Sequence, residues 1–473
     1  MALPCSLPLS RGLPRTLQCR RLVARLFAAQ NTICRANATD NSVSSGHDLL
    51  RTTLPEVIQT KRVPVLLYAD RQSVEPEAIS QLVKLAESPM PVGFVSAMPD
   101  IHVGKGVTIG TVFASQDYVC PNAVGVDIGC GMCAMPLKGL YKDDIAEDKL
   151  RRVQGNIKRS IPTGFEQHDR ALPGAKAELE RISNNVKPSS WLEEAASSKK
   201  VAQQLGTLGG GNHFLEVVHD ETGQVWVMLH SGSRYIGNST AQFYDKKAVE
   251  YMKGSGDARV TAKDINYLEI QSEAGQAYLQ DMTWCQEYAL SNRRLMLDLL
   301  VDCVAHELSN VVPDTDRLIN IHHNYCASEP CKFQDPSKTE MFDGNLWVTR
   351  KGATSAQKDQ LGIIPGSMGV GSYITRGKGN PGSWNSCSHG AGRKMSRTRA
   401  RKEIMQAEFE KAMKGIVCDH VEAVRDEAPQ AYKDLTQVMA DQQDLTEIVH
   451  KLQPLVNVKG YDKYFKGKVK RAI

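Results

Sequence analysis

A chain of 473 residues, 41% hydrophobic and 23% charged, has the composition of a globular protein with one large core or roughly two to three average domains. No run of about 18 apolar residues occurs, so we expect no membrane-spanning helix. The net charge of +5 permits a phosphate-rich partner without implying one.

The first part of the chain has the composition of an organelle transit peptide. Residues 1–39 contain six arginines, no lysine and no acidic residue. We therefore expect residues 1–48 to be a disordered leader that directs the protein to a mitochondrion or plastid. An ordinary disordered tail on a cytoplasmic protein is the alternative.

The body of the chain mixes strand and helix patterns. Branched and aromatic residues between turn signals predict strands near 63–68 and 107–113. Apolar residues at helical spacing predict helices near 297–308 and 405–416. Because the elements do not alternate in a βαβ rhythm, we predict an α+β architecture. The segment 375–388 is rich in Gly, Ser and Asn and predicts a loop near the functional site.

Five of the twelve histidines lie in stretches rich in glycine, serine or asparagine: His213, His230, His322, His323 and His389. Small neighbours let a ligand approach the backbone closely, so these residues indicate a shared site. Asp127 and Cys130, in a tight glycine turn, add oxygen and sulfur donors. Such a mixed set suits zinc, manganese, iron or cobalt, and a thiolate can bridge two metals.

Cys130 and Cys133 form a CxxC pair, which leaves two other interpretations open. There is no second CxxC to complete a zinc ribbon and no strand–CxxC–helix context for a thioredoxin-like site. Structural zinc and redox sites are therefore alternatives to the mixed metal site. The twelve cysteines are scattered in a long chain without a secretory pattern, which indicates a reducing compartment with one or a few functional thiolates.

Two glycine runs, 206–212 and 365–372, offer backbone amides that can form nests for phosphate oxygens. Arg234 and Arg393 each follow a candidate histidine by four residues, and arginine binds phosphate bidentately. Neither run is a Walker A loop. The combination indicates phosphoryl or nucleotidyl chemistry. The neutral imidazole of His389 is a candidate nucleophile for it, with metal ligation or a turn role as alternatives.

Nine short runs, taken in order, resemble the RtcB family of RNA ligases. They are 98–106 (MPDIHVGKG), 122–131 (NAVGVDIGCG), 209–216 (GGGNHFLE), 230–234 (HSGSR), 322–324 (HHN), 350–353 (RKGA), 365–369 (PGSMG), 389–393 (HGAGR) and 458–460 (VKG). The likeness covers nearly the whole body. It implies a single compact α+β domain at 49–460 with a deep metal- and nucleotide-binding cleft.

The resemblance also implies two divalent ions, usually Mn²⁺, and a GTP site. The implied metal ligands are Asp127, Cys130, His213, His230 and His323, with Cys130 bridging and with His323 preferred to His322 because it directly precedes Asn324. His389 is the residue implied to become guanylylated. The implied nucleotide contacts are Asn212, Phe214, Glu216, Asn324, Ser367, Ser372, His389, Arg393, Tyr432 and Lys459. Among these, Glu216 and Lys459 would meet the guanine edge and Tyr432 would stack.

The reaction that the resemblance implies joins an RNA 2′,3′-cyclic phosphate or 3′-phosphate end to a 5′-hydroxyl end through a histidine–GMP intermediate, in tRNA splicing or RNA repair. Arg234 would orient an RNA phosphate, and an activating protein partner is left open. A metal-dependent RNA cyclic phosphodiesterase that never ligates is one alternative. A non-catalytic RNA-binding member of the same fold is the other.

The C-terminal end departs from the family pattern. Members of the family commonly stop at the Val-Lys-Gly run, whereas this chain continues with a basic extension, 461–473. If the usual terminus lies beside the nucleotide, the extension must leave through an opening or displace Lys459.

Overall fold

The structure of this protein is a computed structural model that describes residues 54–255, 265–334 and 341–461. The predicted leader, 1–48, and the extension beyond Tyr461 lie outside the described residues. Of the described residues, 54–329 and 345–461 belong to one compact unit, and 330–334 with 341–344 belong to a second. Every site residue discussed below belongs to the first unit.

Most strands of the described chain belong to two sheets. A six-stranded sheet has the order β1-β2-β3-β4-β13-β12, built from Glu56–Ile58, Val65–Leu67, Val92–His102, Ile109–Ser115, Met341–Lys351 and Asn324–Gln334. An eight-stranded sheet has the order β10-β6-β8-β7-β18-β16-β15, built from Val312–Pro313, Gly131–Tyr141, Gln224–Ser231, Phe214–His219, Thr446–Lys459, Ser372–Gly377 and Leu361–Pro365. Its last strand, β11 (Ile319–His322), pairs with β6. Two small pairs complete the set, β5 (Tyr118–Val119) with β9 (Leu268–Glu269) and β14 (Ala353–Ser355) with β17 (Ser386–Ser388).

The register of the eight-stranded sheet determines where its strand ends meet. Gly131 at the start of β6 is opposite Ser231 at the end of β8 and His322 at the end of β11. Phe214 at the start of β7 is opposite His230. Because these pairs are antiparallel, β6 and β7 begin where β8 and β11 end, and all four termini lie at one edge of the sheet.

Eleven α-helices of the described chain surround these sheets. They are α1 (Pro76–Glu87), α2 (Pro121–Val124), α3 (Glu147–Ser160), α4 (Ala175–Asn185), α5 (Ser190–Ala196), α6 (Lys199–Gln204), α7 (Arg234–Ser255), α8 (Glu273–Ala305), α9 (Arg397–Glu403), α10 (Gln406–Ala412) and α11 (Leu435–Ala440). None of the helices in the described residues combines the length and apolar character needed to cross a membrane.

The long helix α8 supports the eight-stranded sheet. Its first turn is capped by Ser272, whose hydroxyl accepts from the Gly275 amide. Leu297, Leu300 and Val304 pack into one apolar core with the strands β6, β7 and β8. Burying a side chain of this kind stabilises a fold by roughly 1.5–3 kcal/mol. The helix predicted near 297–308 is confirmed as far as Ala305.

The α+β class is confirmed, and the local predictions are confirmed in part. The strand predictions hold for Val65–Leu67 and Ile109–Ser115. The helix predicted across 405–416 is wrong beyond Ala412, because Gly415 adopts φ +87°, a left-handed conformation that ends helices. The loop predicted at 375–388 is confirmed only in its middle part. Its first residues, up to Gly377, belong to β16, and its last, from Ser386, belong to β17.

Candidate active site

The five predicted metal ligands meet at the edge of the eight-stranded sheet just described. They are called the metal-type cluster below and are Asp127, Cys130, His213, His230 and His323. Cys130 immediately precedes β6, and its Sγ lies 3.2 Å from His230 Nε2 and 3.4 Å from His213 Nε2. His230 Nε2 lies 3.2 Å from His323 Nε2, and His213 Nε2 lies 2.9 Å from Asp127 Oδ2. Two three-residue groups therefore form, Cys130 with His230 and His323, and Cys130 with Asp127 and His213. Both groups share the thiol, as a bridging ligand requires.

The second ring nitrogen of two of these histidines is held by the backbone. His213 Nδ1 lies 2.9 Å from the Leu208 carbonyl, and His230 Nδ1 lies 3.3 Å from the Asn212 carbonyl. A proton on Nδ1 leaves Nε2 with its lone pair directed into the cluster, which is the usual outer-shell arrangement of a histidine ligand. The donor set, three imidazoles, one thiol and one carboxylate, fits two borderline divalent ions.

Electrostatics in the cluster agree with this fit. Burial lowers the pKa of His230 and of His323 well below the ordinary value, so both rings are neutral donors. Burial alone would raise the pKa of Asp127, but the hydrogen bond and charge of His213 outweigh it and hold that pKa at about 2. Burial, followed by the negative charge of Asp127, raises the pKa of the Cys130 thiol. A bound cation is what would favour the thiolate there.

Cys133 does not take part in this cluster. It is three residues into β6, fully buried among Met135, Leu137 and other apolar side chains of the core. The CxxC spacing therefore places one thiol at the strand edge and the other in the core. In the described part of the chain no two cysteines are joined by a disulfide.

His389 lies beside the metal-type cluster rather than within it. Its ring is 4.9 Å, centroid to centroid, from the ring of His323. The buried carboxylate of Asp100 accepts from its Nδ1 at 2.6 Å and from its backbone amide at 3.1 Å. Burial alone would raise the pKa of Asp100, but the charge and hydrogen bond of His389 outweigh it and lower that pKa. Asp100 thus orients the ring, with Nε2 left to react.

The two adjacent histidines at the end of β11 have different surroundings. His323 enters the cluster, whereas His322 Nδ1 lies 2.9 Å from the Gly129 carbonyl and 3.1 Å from Arg293. Arg293, on α8, is fully buried and donates to the Gly129 carbonyl at 2.7 Å and to the Ser231 carbonyl at 3.0 Å. One guanidinium therefore connects the backbone segments that carry Cys130, His230 and His323.

A second group of predicted residues surrounds the buried carboxylate of Glu427. Arg393 Nη1 is 3.3 Å from Glu427 and 3.0 Å from the Tyr432 hydroxyl, which itself donates to Glu427 at 2.9 Å. Lys459 also pairs with Glu427. Burial would raise the pKa of Glu427, but Lys459 and Arg397 lower it to about 2. The carboxylate is thus ionised and holds three of the predicted nucleotide contacts together.

The pairing of β7 with β18 places three more predicted residues, Asn212, Phe214 and Glu216, near Lys459. Glu216 and Asn457 are opposite each other, with the amide of Asn457 donating to Glu216 Oε1 at 2.5 Å. Burial raises the pKa of Glu216 to about 7. Lys459 is opposite Phe214, with Nζ 5.1 Å from the ring centroid and 3.4 Å from the Asn212 carbonyl. The expected proximity of Glu216 and Lys459 therefore follows from one strand pair.

The remaining predicted residues occupy nearby strand ends and loops. Asn324 begins β12, accepts from the Gly352 amide at 2.8 Å and donates to the Asp127 carbonyl at 3.3 Å. Ser372 begins β16 and is buried. Ser367 follows β15, and within the described residues its buried hydroxyl has no hydrogen-bond partner. An unsatisfied buried hydroxyl indicates a place for a ligand oxygen.

The C-terminal end of the described chain passes beside Gly209 and Gly164. The chain runs straight on from β18 through Gly460, which passes so close to Gly209 that a Cβ there would lie 1.8 Å from the Gly209 carbonyl oxygen. Tyr461 then passes beside Gly164. Lys459 contacts Glu427 and Asn212, and the residues beyond Tyr461, on which the two predicted outcomes depend, lie outside the described residues.

Three residues of the site were not assigned by the sequence analysis: Asp100, Arg293 and Glu427. Asp100 is in the run 98–106, and Glu427 is five residues before Tyr432, so the sequence indicated the neighbourhood of both residues but not their roles. Arg293 is one of two adjacent arginines in a helix and had none.

Comparison with known proteins identifies the family of this chain. A family sequence profile described as "tRNA-splicing ligase RtcB" matches residues 81–460. The "RNA-splicing ligase RtcB" of Escherichia coli (strain K12) is 38% identical over 424 residues, which cover 86% of this chain and 99% of that protein. The "tRNA-splicing ligase RtcB" of Methanococcus maripaludis is 28% identical, covering 84% and 95% of the two chains, and the "RNA-splicing ligase RtcB" of Mycobacterium tuberculosis is 30% identical, covering 80% and 100%. The chain therefore belongs to the RtcB family of RNA ligases.

Proposed function

We propose that this protein joins an RNA 2′,3′-cyclic phosphate or 3′-phosphate end to a 5′-hydroxyl end, using GTP, two Mn²⁺ ions and guanylylation of His389. The observation that carries the proposal is the position of His389. Its ring adjoins the metal-type cluster through His323, and Asp100 holds its Nδ1. A histidine that served only as a metal ligand would lie within the cluster. A nucleophile that attacks a metal-bound phosphate must instead lie beside it.

The residues at the strand edge would hold the two ions, one on Cys130, His230 and His323 and one on Cys130, Asp127 and His213. Bound metal ions polarise phosphoryl oxygens and stabilise the charge that develops on them. The buried hydroxyl of Ser367, which has no hydrogen-bond partner among the described residues, is a further donor for a nucleotide oxygen.

The chemistry of the chain's own residues follows from the Asp100–His389 pair. With its proton held on Nδ1 by Asp100, His389 attacks the α-phosphorus of GTP through Nε2. The new nitrogen–phosphorus bond forms as the bond between the α-phosphorus and the bridging oxygen breaks, and pyrophosphate leaves. Water opens a 2′,3′-cyclic phosphate end by adding to its phosphorus as the bond to the 2′ oxygen breaks, and that oxygen takes a proton. An oxygen of the RNA 3′-phosphate next attacks the phosphorus of the GMP on His389, and the nitrogen–phosphorus bond breaks. The 5′-hydroxyl of the second strand then attacks the activated phosphate, loses its proton and releases GMP.

Intact-mass measurement tests the first step. Protein lacking residues 1–48 is incubated with Mn²⁺ and GTP, with ATP in parallel, beside His389→Ala and the control His450→Ala. His450 is a histidine paired with Glu221 on the surface, outside the cluster. We expect one acid-labile GMP adduct with GTP in the wild type and in the control, none in His389→Ala, and joining of cyclic-phosphate RNA only where the adduct forms.

Absence of the adduct in metal-loaded wild-type protein would refute this mechanism. Opening of a cyclic phosphate without joining would then favour the phosphodiesterase alternative. Binding of RNA with neither reaction would favour the non-catalytic one. The presence of His389, Asp100 and all five metal-type residues favours ligation over both.

We also propose that residues 49–460 form the ligase domain and that the leader, 1–48, directs it to a mitochondrion or plastid. The support is the arginine-rich composition of residues 1–39, which lack any acidic residue. Fusion of residues 1–48 to a fluorescent protein tests this, since a diffuse cytoplasmic signal would exclude a targeting role.

A further inference from the structure

A cavity of about 350 Å³ adjoins the proposed active site. Its charged lining consists of Arg234, Arg397, Arg401 and Lys459 against Asp426 and Glu427. Four cations against two carboxylates leave two positive charges in excess. Ligand pockets span roughly 300–1,000 Å³, so the volume suits about one nucleotide. The charge balance favours an anionic ligand.

Two of the arginines are held in place by buried carboxylates. Arg397 Nη1 lies 2.8 Å from Asp426 and 2.5 Å from Glu427, and Arg401 Nη2 lies 3.2 Å from Asp426. Even so, the two arginine side chains remain 34% and 38% exposed, whereas both carboxylates are buried. Both guanidinium groups are thus held by carboxylates and remain partly exposed where they line the cavity. Preorganised arginines of this kind bind phosphate with little loss of side-chain entropy.

An aromatic ring completes the lining. Phe165 is 92% exposed. The residue before it, Gly164, is fixed in place because its amide donates to the Gly209 carbonyl at 2.7 Å. A single exposed apolar residue is ordinary on a protein surface. Here, however, the ring borders a cationic cavity. An aromatic ring beside a basic groove is the arrangement on which proteins stack the bases of single-stranded nucleic acids.

The cavity is next to the proposed metal ligands. Arg234 donates to the Thr207 hydroxyl and to the Gly164 carbonyl, each at 3.3 Å, and it begins α7 four residues after His230. On the other side, Lys459 contacts the carbonyl of Asn212, the residue before His213. An RNA end bound in the cavity would therefore lie close to the proposed metal ligands.

We infer that this cavity binds the end of a single-stranded RNA, with Phe165 stacking on a base and Arg397 and Arg401 holding a backbone phosphate. The inference rests on the proposed ligase function and names substrate contacts for it. The three side chains recognise features common to every nucleotide, so the site accepts RNA ends without regard to sequence.

The test uses variants that change the lining and not the fold. Phe165→Ala removes the ring, Phe165→Leu keeps apolar volume without an aromatic face, and Phe165→Trp keeps the face. Arg401→Met removes one guanidinium, while Arg397 still pairs with Asp426. Tyr141→Ala is the control, because Tyr141 is an exposed aromatic at the opposite end of β6 from Cys130. Thermal melts check that each variant is folded.

Two measurements are made on each Mn²⁺-loaded variant, GMP-adduct formation and anisotropy of a labelled single-stranded RNA with a 3′-phosphate. We expect Phe165→Ala and Phe165→Leu to weaken RNA binding by roughly 10-fold, with recovery in Phe165→Trp. Arg401→Met should weaken binding and reduce the slope of log affinity against log salt by about 0.7. Adduct formation with GTP should be unchanged in all of them, as in Tyr141→Ala.

RNA affinity unchanged in Phe165→Ala and Arg401→Met would overturn the inference. So would an equal loss of adduct formation in these variants, because the cavity would then belong to the guanosine nucleotide. The binding measurement does not require ligation. If the wild type forms no adduct, the proposed mechanism fails while the RNA site is still tested by anisotropy.

Discussion

Replacing Arg293 by methionine should damage the metal-type cluster although Arg293 is not a ligand. The side chain is fully buried, and its guanidinium donates to the carbonyls of Gly129 and Ser231 and to the Asn320 side chain at 2.7–3.0 Å. Methionine keeps the apolar stem and removes every donor. Two buried backbone carbonyls and the part-buried side chain of Asn320 then lose a charge-assisted hydrogen bond.

The size of the effect can be worked from these contacts. An unsatisfied buried acceptor costs roughly 1–3 kcal/mol. His322 still faces the Gly129 carbonyl, so about two acceptors are left unmatched, at a cost of roughly 2–6 kcal/mol. Removing a buried charge offsets part of this, because burial of the guanidinium is itself unfavourable and lowers the pKa of Arg293 to about 10. We expect a net loss of about 3 kcal/mol in the free energy of unfolding.

Urea unfolding of the metal-free protein measures that loss, and calorimetric titration with Mn²⁺ measures the functional effect. Outer-shell changes weaken metal affinity by roughly 10–100-fold, which is the range we expect. The matched control is Arg294→Met, the next residue, which is 42% exposed and pairs with exposed Asp298. It should cost less than about 0.5 kcal/mol. Equal unfolding midpoints and equal Mn²⁺ affinities in the two variants would refute the role assigned to Arg293.

Three further changes test other parts of the site. Cys130→Ser should abolish tight binding of both Mn²⁺ ions in a calorimetric titration. The control Cys133→Ala, in the core, should keep both tight Mn²⁺ sites. Retention of one tight site by Cys130→Ser would argue against a shared thiol. Gly131→Ala should destabilise the fold by at least about 2 kcal/mol in urea unfolding, because its Cβ would lie 1.9 Å from the Ile321 carbonyl oxygen; wild-type stability would contradict that contact. Burial raises the pKa of Glu216 from 4.5 to about 7, so its neutral form favours the folded state, and stability should fall as the pH rises through about 7. Glu216→Gln should flatten that decline between about pH 5 and about pH 8, and an unchanged slope would exclude Glu216 as its source.

The metal-type residues could be predicted from the sequence because each has a local signal. Glycine, serine and asparagine around His213, His230 and His389 mark places where the backbone must approach a ligand. The distances between these residues could not be predicted in the same way. His389 and its partner Asp100 are 289 residues apart, so their hydrogen bond depends on the packing of two separate parts of the chain.

The roles of Arg293 and Glu427 depend on burial, which local sequence does not report. Arg293 and Arg294 are adjacent and identical in type, yet the first is fully buried and the second 42% exposed. Only the face of α8 that meets the sheet distinguishes them. Glu427 likewise has a role because Arg393, Tyr432 and Lys459 arrive from three different segments.

The metal-type cluster is in the end a consequence of strand register. Gly131 pairs with Ser231 on one side of β6 and with His322 on the other, so Cys130, His230 and His323 all lie within one residue of those pairs. A shift of β11 by one residue would turn His323 to the opposite face of the sheet. Arg293 resists such a shift, because it bonds to Asn320 of β11 and to the backbone at Gly129 and Ser231 at the same time. The same guanidinium therefore stabilises the fold and keeps the ligands in register, which is why its loss should appear both in unfolding and in metal affinity.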